Sequence, residues 1–244
     1  MTFGMYVSPE QLMKDRADYA RQGIARGRAV IVASYATGIA FVAENPSRSL
    51  RKVSEIYDRI GFAAVGKYNE FENLRVAGIR YADLRGFSYD RTDVTARGLA
   101  GAYAQTLGTV FTQESKPYEI EITVAQVATD PDQDQIFRLT YDGSVSDEPG
   151  FVAMGRDSES LTSSLAQRWR PQMSLAQILS LCVEMLRGAS EERKTPALTH
   201  DDFEVAVLDR RRPRRTFRRV PTSALDTLLD PAEPLEDLPG PTGD

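Results

Sequence analysis

The sequence predicts an α+β protein built as a four-layer αββα sandwich: two antiparallel sheets flanked by helix pairs. Strand-like and helix-like segments arrive in blocks along the chain and not in strict alternation, which favours antiparallel sheets over a doubly wound parallel sheet. The strand segments come in pairs joined by short turns, as in hairpins. Two stacked sheets with helices outside each would bury the apolar side of every predicted element.

The first block is a capped helix followed by two strand pairs. Ser8 can cap the helix, with Pro9 at the first helical position and Gln11 three residues after the serine. Beyond Gly27 the period changes to short apolar runs, which predict buried strands. The four predicted strands are 29–33, 39–43, 53–57 and 60–65.

The rest of the chain continues in blocks. Glu119, Glu121 and Thr123 alternate with apolar residues in a predicted strand over 118–124, which indicates a sheet with one partly polar face. The other predicted helices are 69–84, 93–112, 161–169, 174–188 and 225–229, and the other predicted strands are 137–141, 151–154, 203–207 and 217–220.

Three regions are expected. Residues 1–7 lack a period and are predicted to be a short terminal segment, and residues 8–229 are predicted to form the folded domain. Residues 230–244 contain four prolines and five acidic residues without an apolar period, so we expect an acidic, disordered tail.

Composition excludes several classes of protein. Apolar residues make up 41% and charged residues 27%, as in ordinary globular proteins, and no apolar run approaches the length of a membrane span. One cysteine, Cys182, cannot form an internal disulfide and fits the cytoplasm. With a single histidine, His200, a typical zinc site is not expected, and we expect no cofactor. A net charge of −5 argues against general nucleic-acid binding.

An ordered set of short stretches carries a resemblance to a known family. The stretches are Ser8-Pro9, Asp18-Tyr19-Ala20-Arg21, Arg26-Gly27, Asn45-Pro46-Ser47-Arg48-Ser49-Leu50 with Lys52, Tyr89-Asp90-Arg91, Lys116-Pro117-Tyr118-Glu119 and Tyr141-Asp142-Gly143. From about residue 3 to residue 229, the chain resembles α-subunits of the 20S proteasome, most closely the actinobacterial form. The resemblance implies the fold of the N-terminal-nucleophile hydrolases, without catalysis.

The position of the nucleophile supports the expectation of no catalytic residue. Enzymes of this fold use a Thr, Ser or Cys exposed as a new N-terminus at the start of the first strand. The corresponding residue here is Arg28, after Gly27, and a guanidinium stays protonated. Glu44 falls about where the family's catalytic aspartate would be. In addition, the segment before Gly27 is predicted to be a stable helix and not a removable propeptide.

The resemblance also implies partners and sites. Seven copies would form each outer ring of a barrel whose inner β-subunit rings carry the threonine peptidase. Lys52, with Arg21 and Gly66, would line a pocket that accepts the C-terminal carboxylate of a ring-shaped AAA ATPase. Substrates would be unfolded proteins tagged with a small ubiquitin-like modifier. The pore gate would consist of Thr2, Phe3, Gly4, Met5, Tyr6, Val7, Ser8 and Pro9.

Alternatives stay open at this point. One is an active amidohydrolase of the same fold, and another is a free-standing binding module that uses the arginine cluster at 210–219. That cluster is interpreted first as a solvated hairpin with Pro213 in its turn, and second as a contact for an acidic neighbour. Cys182 is expected to be a buried structural thiol, and His200 is not expected to belong to a catalytic triad.

Overall fold

A computed structural model describes residues 8–47 and 49–229 of the chain. Within them lie six α-helices, α1 Pro9–Ala25, α2 Tyr68–Ser88, α3 Ala96–Gln113, α4 Ser158–Arg168, α5 Leu175–Glu192 and α6 Thr222–Leu229. The ten strands there are β1 Val30–Tyr35, β2 Gly38–Glu44, β3 Val53–Tyr57, β4 Ile60–Gly66, β5 Ile120–Gln126, β6 Gln135–Leu139, β7 Val145–Asp147, β8 Phe151–Met154, β9 Phe203–Asp209 and β10 Phe217–Val220. The predicted segments 1–7 and 230–244 lie outside the described residues.

The strands form two five-stranded sheets, and each paired strand is antiparallel to its neighbour. The first sheet has the order β10-β9-β2-β1-β8, and the second has the order β3-β4-β5-β6-β7. The predicted hairpins β1–β2 and β3–β4 therefore belong to different sheets. The predicted α+β class with two antiparallel sheets is confirmed.

Alternation along the strands separates the layers. In β1, Val30 and Val32 point toward the second sheet, whereas Ile31 and Ala33 pack against α4 and α5. In β4, Ala63 and Val65 lie between the sheets, while Phe62 packs against α2 and α3. Both faces of both hairpins are buried, which explains why these strands are continuous apolar runs in the sequence.

Helix α1 closes one end of the layer between the sheets. Its buried residues, Ala20 and Ile24, belong to the inter-sheet core. Arg16 holds the helix to the C-terminal end of α3 by donating hydrogen bonds to the carbonyl oxygens of Val110 at 3.3 Å and Glu114 at 2.7 Å. The helix is thus fixed at two places along its length.

The polar face predicted for β5 is buried, not solvent-exposed. Glu119, Glu121 and Thr123 are each at most 6% exposed, because their side of the strand faces the first sheet. Glu121 forms an ion pair with Arg138, and the Thr123 hydroxyl lies 3.1 Å from the Met154 sulfur of the opposite sheet. Burial raises the pKa of Glu121.

Two further details differ from the predictions. Strand β7, all of whose residues are exposed, carries no apolar alternation and was not predicted. Helix α5 continues past Gly188, its predicted end, to Glu192. Its predicted cap is correct, since Ser174 and Gln177 form a reciprocal capping box.

The arginine cluster at 210–219 joins the two sheets. It forms the turn between β9 and β10 of the first sheet, and its contacts reach the second sheet and its loops. Arg210 pairs with Asp134 at 2.7 Å, Arg215 pairs with Glu55 at 2.6 Å, and Arg219 donates to the Val53 carbonyl oxygen at 2.8 Å. The cluster therefore has partners inside its own chain, which favours neither an acidic neighbour nor nucleic acid.

No helix within residues 8–47 and 49–229 has the length and apolar character needed to cross a membrane.

Candidate docking site

The start of the first strand shows what stands where a nucleophile is expected. Arg28 lies two residues before β1, and its side chain is 45% exposed. Its Nη1 atom is 3.5 Å from Oε1 of Glu44, the last residue of β2, whose side chain is only 7% exposed. The position therefore presents a permanent cation held near a buried carboxylate, without a hydroxyl or thiol to activate.

Glu44 has a second guanidinium on its other oxygen. Arg193, which follows α5, places Nη2 3.6 Å from Oε2 of Glu44 and also forms an ion pair with Asp157. Among the described residues, the Glu44 carboxylate forms ion pairs only with Arg28 and Arg193. The carboxylate thus partly neutralises two arginines at the start of the first sheet.

Lys52 points toward the same place. Its Nζ atom donates a hydrogen bond of 2.6 Å to the backbone oxygen of Arg28, and its own backbone N–H donates to Oε2 of Glu204 at 2.9 Å. Burial lowers the pKa of Lys52 to about 8; Glu44 and Glu204 partly oppose this change, and Arg28 adds to it. Among the residues that the structure describes, the hydrogen bonds and ion pairs of this half-buried ammonium reach only that carbonyl oxygen, so it can bind an anion.

Gly66 packs closely against the chain just before Arg28, the residue that Lys52 contacts. It has a φ of 104°, and a Cβ atom at this position would overlap the carbonyl oxygen of Glu119. A Cβ at Gly27 would come within 3.1 Å of the Gly66 nitrogen, so the two glycines are adjacent. The chain before β1, Lys52 and the end of β4 therefore meet at one corner of the sandwich.

Arg21, the third predicted pocket residue, has different contacts. Its Nη1 atom pairs with Asp18 at 3.0 Å, and its guanidinium carbon lies 5.9 Å from the centre of the Tyr141 ring. None of its hydrogen bonds or ion pairs within the described part of the chain reaches Lys52 or Gly66. The structure thus brings two of the three predicted residues together within one chain.

A fourth element completes the corner. Arg156 follows β8; its backbone N–H donates to the Gly27 oxygen at 2.9 Å, and its Nη2 donates to the Arg26 oxygen at 3.0 Å. Arg26, Arg28, Lys52 and Arg156 together are called the cationic corner from here on. The prediction missed Arg156, which is over 100 residues away from the others; the pairing of β8 with β1 brings it there.

Comparisons with known proteins match most of this chain to one family. A family model described as proteasome subunit matches residues 23–208. The curated proteasome subunit alpha of Sanguibacter keddieii is 64% identical over 244 residues, covering 100% of this chain and 94% of the relative. The same protein of Kineococcus radiotolerans is 64% identical, covering 94% and 98%, and that of Xylanimonas cellulosilytica is 62% identical, covering 92% and 95%.

This chain belongs to the proteasome subunit family. Within that family it is similar to α-subunits of actinobacteria along nearly its whole length, as the sequence resemblance predicted. The region that the family model matches contains Arg28, Glu44, Lys52 and Gly66.

Of the predicted gate of this proteasome subunit, only Ser8 and Pro9 are among the described residues. Thr2, Phe3, Gly4, Met5, Tyr6 and Val7 lie outside the described residues. Ser8 caps α1, because its hydroxyl accepts a hydrogen bond of 3.2 Å from the Gln11 N–H, and Pro9 is the first helical residue. The Gln11 side chain bonds Asp15 at 2.6 Å and does not return to Ser8, so the capping box is half formed.

Cys182 and His200, the single cysteine and histidine, both lie in surroundings that fit a structural role. Cys182 is buried in the core between α5 and the first sheet, and burial raises its pKa to about 12. His200 contacts Asp226 of α6. Within the described ranges, the side-chain hydrogen bonds of His200 reach no Ser or Thr hydroxyl that could serve as the nucleophile of a triad. No metal-binding cluster of His, Cys, Asp or Glu is found among those same residues.

Proposed function

We propose that this chain is a non-catalytic α-subunit that forms the outer heptameric rings of a cytoplasmic 20S proteasome, stacked on rings of β-subunits. The arrangement at Arg28 is the observation that carries the proposal. A guanidinium cannot act as a nucleophile, and the Glu44 carboxylate beside it forms ion pairs with two arginines. In this role the subunit controls entry to a chamber in which other subunits cleave peptide bonds.

The docking part of the proposal assigns Lys52, Gly66 and Arg21 to the pocket for the C-terminal carboxylate of a ring-shaped AAA ATPase. Lys52 supplies the cation, and the close backbone packing at Gly66 leaves no side chain there. The proposed pocket lies between neighbouring copies, so Arg21 can border it without touching Lys52 of its own chain. A carboxylate beside a half-buried ammonium gains a charge-assisted hydrogen bond.

Replacing the lysine tests this docking role. In the barrel assembled with β-subunits, we expect Lys52→Ala to leave hydrolysis of short peptides unchanged, because the peptidase lies elsewhere. ATPase-driven degradation of a tagged, folded protein should fall at least several-fold, since the tail loses its cation. Both rates are measured on the same preparations.

Lys14→Ala is the matched control, because Lys14 is an exposed lysine on α1. It should leave both rates at the unmodified level. Equal losses of peptide and protein hydrolysis in Lys52→Ala would contradict docking and point to failed assembly instead.

The gate part of the proposal assigns residues 1–9 to the axial pore, which admits unfolded tagged proteins. Deleting residues 2–7 should raise peptide hydrolysis by the assembled barrel several-fold, while Ser8 stays in place to cap α1. Unchanged peptide hydrolysis in a fully assembled barrel would argue against a gate made by this segment.

The rival function, an active amidohydrolase, is tested with this subunit alone. The proposal expects no turnover of fluorogenic peptides in the absence of β-subunits. Turnover that persists in a homogeneous preparation, together with a processed chain beginning with Ser, Thr or Cys, would favour the rival.

A further inference from the structure

The net charge of this chain is concentrated in one segment. All 30 Lys and Arg residues precede residue 230, and so do 30 of the 35 acidic residues. Residues 1–229 are therefore formally neutral, and the net charge of −5 comes entirely from residues 230–244. These fifteen residues, with five acids and four prolines, are called the acidic segment below.

The cationic corner has the opposite charge. Arg26 and Arg28 are exposed, and Lys52 and Arg156 are half-buried beside them. The contacts that join the four residues run from side chains to backbone carbonyls, and not to carboxylates. Glu44 is shared with Arg193, so it neutralises only part of this charge. An anionic chain on this surface would meet several unneutralised cations.

Helix α6, which leads into the acidic segment, packs at the same end of the molecule. Asp226 of α6 contacts His200, and the carbonyl oxygen of the nearby Asp202 accepts a hydrogen bond of 2.7 Å from the Asn45 N–H. The Asn45 side chain shares the Glu204 carboxylate with the Lys52 N–H. Four contacts, with the chain between His200 and Asp202, thus connect α6 to Lys52.

An open cavity lies along this route. Its volume is about 660 Å³, and its lining combines the start of α6, at Pro221 and Thr222, with Arg51, Arg219 and Glu204. Arg219 is paired with Glu204 at 2.7 Å, whereas Arg51 is exposed at the rim. The cavity thus lies between the start of α6 and Glu204, whose carboxylate accepts a hydrogen bond from the Lys52 N–H.

We propose that the acidic segment of this chain docks through the cavity into its own cationic corner and places carboxylates on Lys52, Arg28 and Arg156. The length is sufficient, since fifteen residues in an extended, proline-rich conformation span roughly 45 Å, and α6, with eight residues, is about 12 Å long. Because both partners belong to one chain, the effective concentration reaches the millimolar range. The inference concerns this chain alone and holds whether or not an activator uses Lys52.

The electrostatics of Lys52 supports this docking. Burial lowers the pKa of the lysine, and both Arg28 and Arg156 disfavour its charge further. Carboxylates of the acidic segment would offset this repulsion and raise the pKa of Lys52. If an activator tail also binds at Lys52, it must displace the acidic segment, which would then regulate docking by competition.

The experiment measures acetylation of Lys52 by an amine-reactive ester, followed by mass spectrometry, at pH 8 without any activator. Three forms of the chain are compared: unmodified, ended at residue 229, and carrying D230N, E233Q, E236Q, D237N and D244N together. We expect Lys52 to be acetylated several-fold faster in both altered forms at low ionic strength, because docked carboxylates cover the amine and keep it protonated. The difference should disappear near 1 M salt, where charges are screened beyond about 3 Å.

Lys14 on α1 is the internal reference and should react equally in all three forms.

Carbodiimide cross-linking of mixed light and heavy isotope-labelled chains gives the second measurement. We expect Lys52 to link to acids of the acidic segment within one chain. Equal Lys52 acetylation in the three forms would overturn the proposal. Cross-links from the acidic segment that go only to other lysines, or only between chains, would overturn it as well. Loss of ATPase docking in Lys52→Ala tests the separate docking proposal and has no bearing on either measurement.

Discussion

Lys52 combines two opposing requirements in one side chain. It must be charged to bind a carboxylate, yet burial lowers its pKa from 10.5 to about 8. The unfolded chain keeps this proton up to about pH 10.5, whereas the folded chain releases it near pH 8. Unfolding therefore takes up a proton between these values, so this group makes the fold more stable as the pH rises through that window. Docking has the opposite pH dependence, because only the ammonium pairs with a carboxylate.

The first prediction concerns this pH dependence. Binding of a peptide that ends in a free carboxylate should weaken about ten-fold between pH 7 and pH 9, because the protonated fraction of a group with a pKa near 8 falls by about that factor. Fluorescence anisotropy with a labelled peptide measures the affinity. Lys52→Arg is the control, since arginine stays charged and should give a nearly flat profile over this range. A flat profile for the unmodified chain would show that Lys52 does not provide the charge.

At the scale of single elements, α1 shows how a helix can be well anchored at one end only. Its two buried residues, Ala20 and Ile24, lie in the second half, while Leu12 and Met13 near the start are exposed. The cap at Ser8, the hydrogen bonds of Arg16 and the stacking of its guanidinium on the Phe111 ring help to hold the first half. The start of the helix is also where the proposed gate is attached.

The second prediction follows from this asymmetry. Ser8→Ala should destabilise the first turn of α1 by about 1 kcal/mol, because a helix cap contributes roughly that amount. Amide exchange at Leu12, whose N–H donates to the Ser8 carbonyl, should accelerate, while exchange in β1 and β4 stays unchanged. Ser8→Asp keeps a capping oxygen and should retain the protection. Faster exchange in the strands as well would mean that the cap stabilises the whole fold.

The sequence predicted some strands more accurately than others. The hairpins β1–β2 and β3–β4 were predicted nearly to the residue, because both faces are buried and the apolar runs end at turns. The partly polar face of β5 was predicted, but its burial was not, since local alternation cannot show that Arg138 would neutralise Glu121 between the sheets. For the site, Lys52, Arg21 and Gly66 were predicted as pocket residues and Arg28 only as the residue in the nucleophile's position. Arg156, Arg193 and Glu204 were not predicted. These three come from distant segments, and only tertiary structure brings them to the corner.

For the whole molecule, the question is what holds two stacked sheets in one register at their ends. The turn between β9 and β10 supplies polar ties in addition to the apolar layer. The Thr216 N–H and hydroxyl both bond the Asp58 carbonyl oxygen, at 2.8 and 2.9 Å, across to the β3–β4 turn. Arg210 reaches Asp134 and the Ala128 carbonyl oxygen of the second sheet's connecting loop. An arginine-rich sequence thus serves as an internal clamp.

The last prediction tests this clamp through its most buried member. The side chains of Arg210 and Asp134 are only 11% and 7% exposed, and their two hydrogen bonds measure 2.7 and 3.1 Å. Arg210→Ala leaves the Asp134 carboxylate buried without its partner, so we expect the free energy of unfolding to fall by about 3 kcal/mol or more. Urea denaturation at a fixed protein concentration measures this change.

A surface arginine of the same turn provides the control. Arg211 pairs with Asp209 at 2.7 Å, but its side chain is 64% exposed, so Arg211→Ala should cost less than about 1 kcal/mol. Replacing both buried partners, with Arg210→Met and Asp134→Leu, should recover most of the lost stability, because no uncompensated charge then remains inside. Equal, small losses for Arg210→Ala and Arg211→Ala would mean that the apolar layer alone holds the two sheets together and that the arginines merely cover their edge.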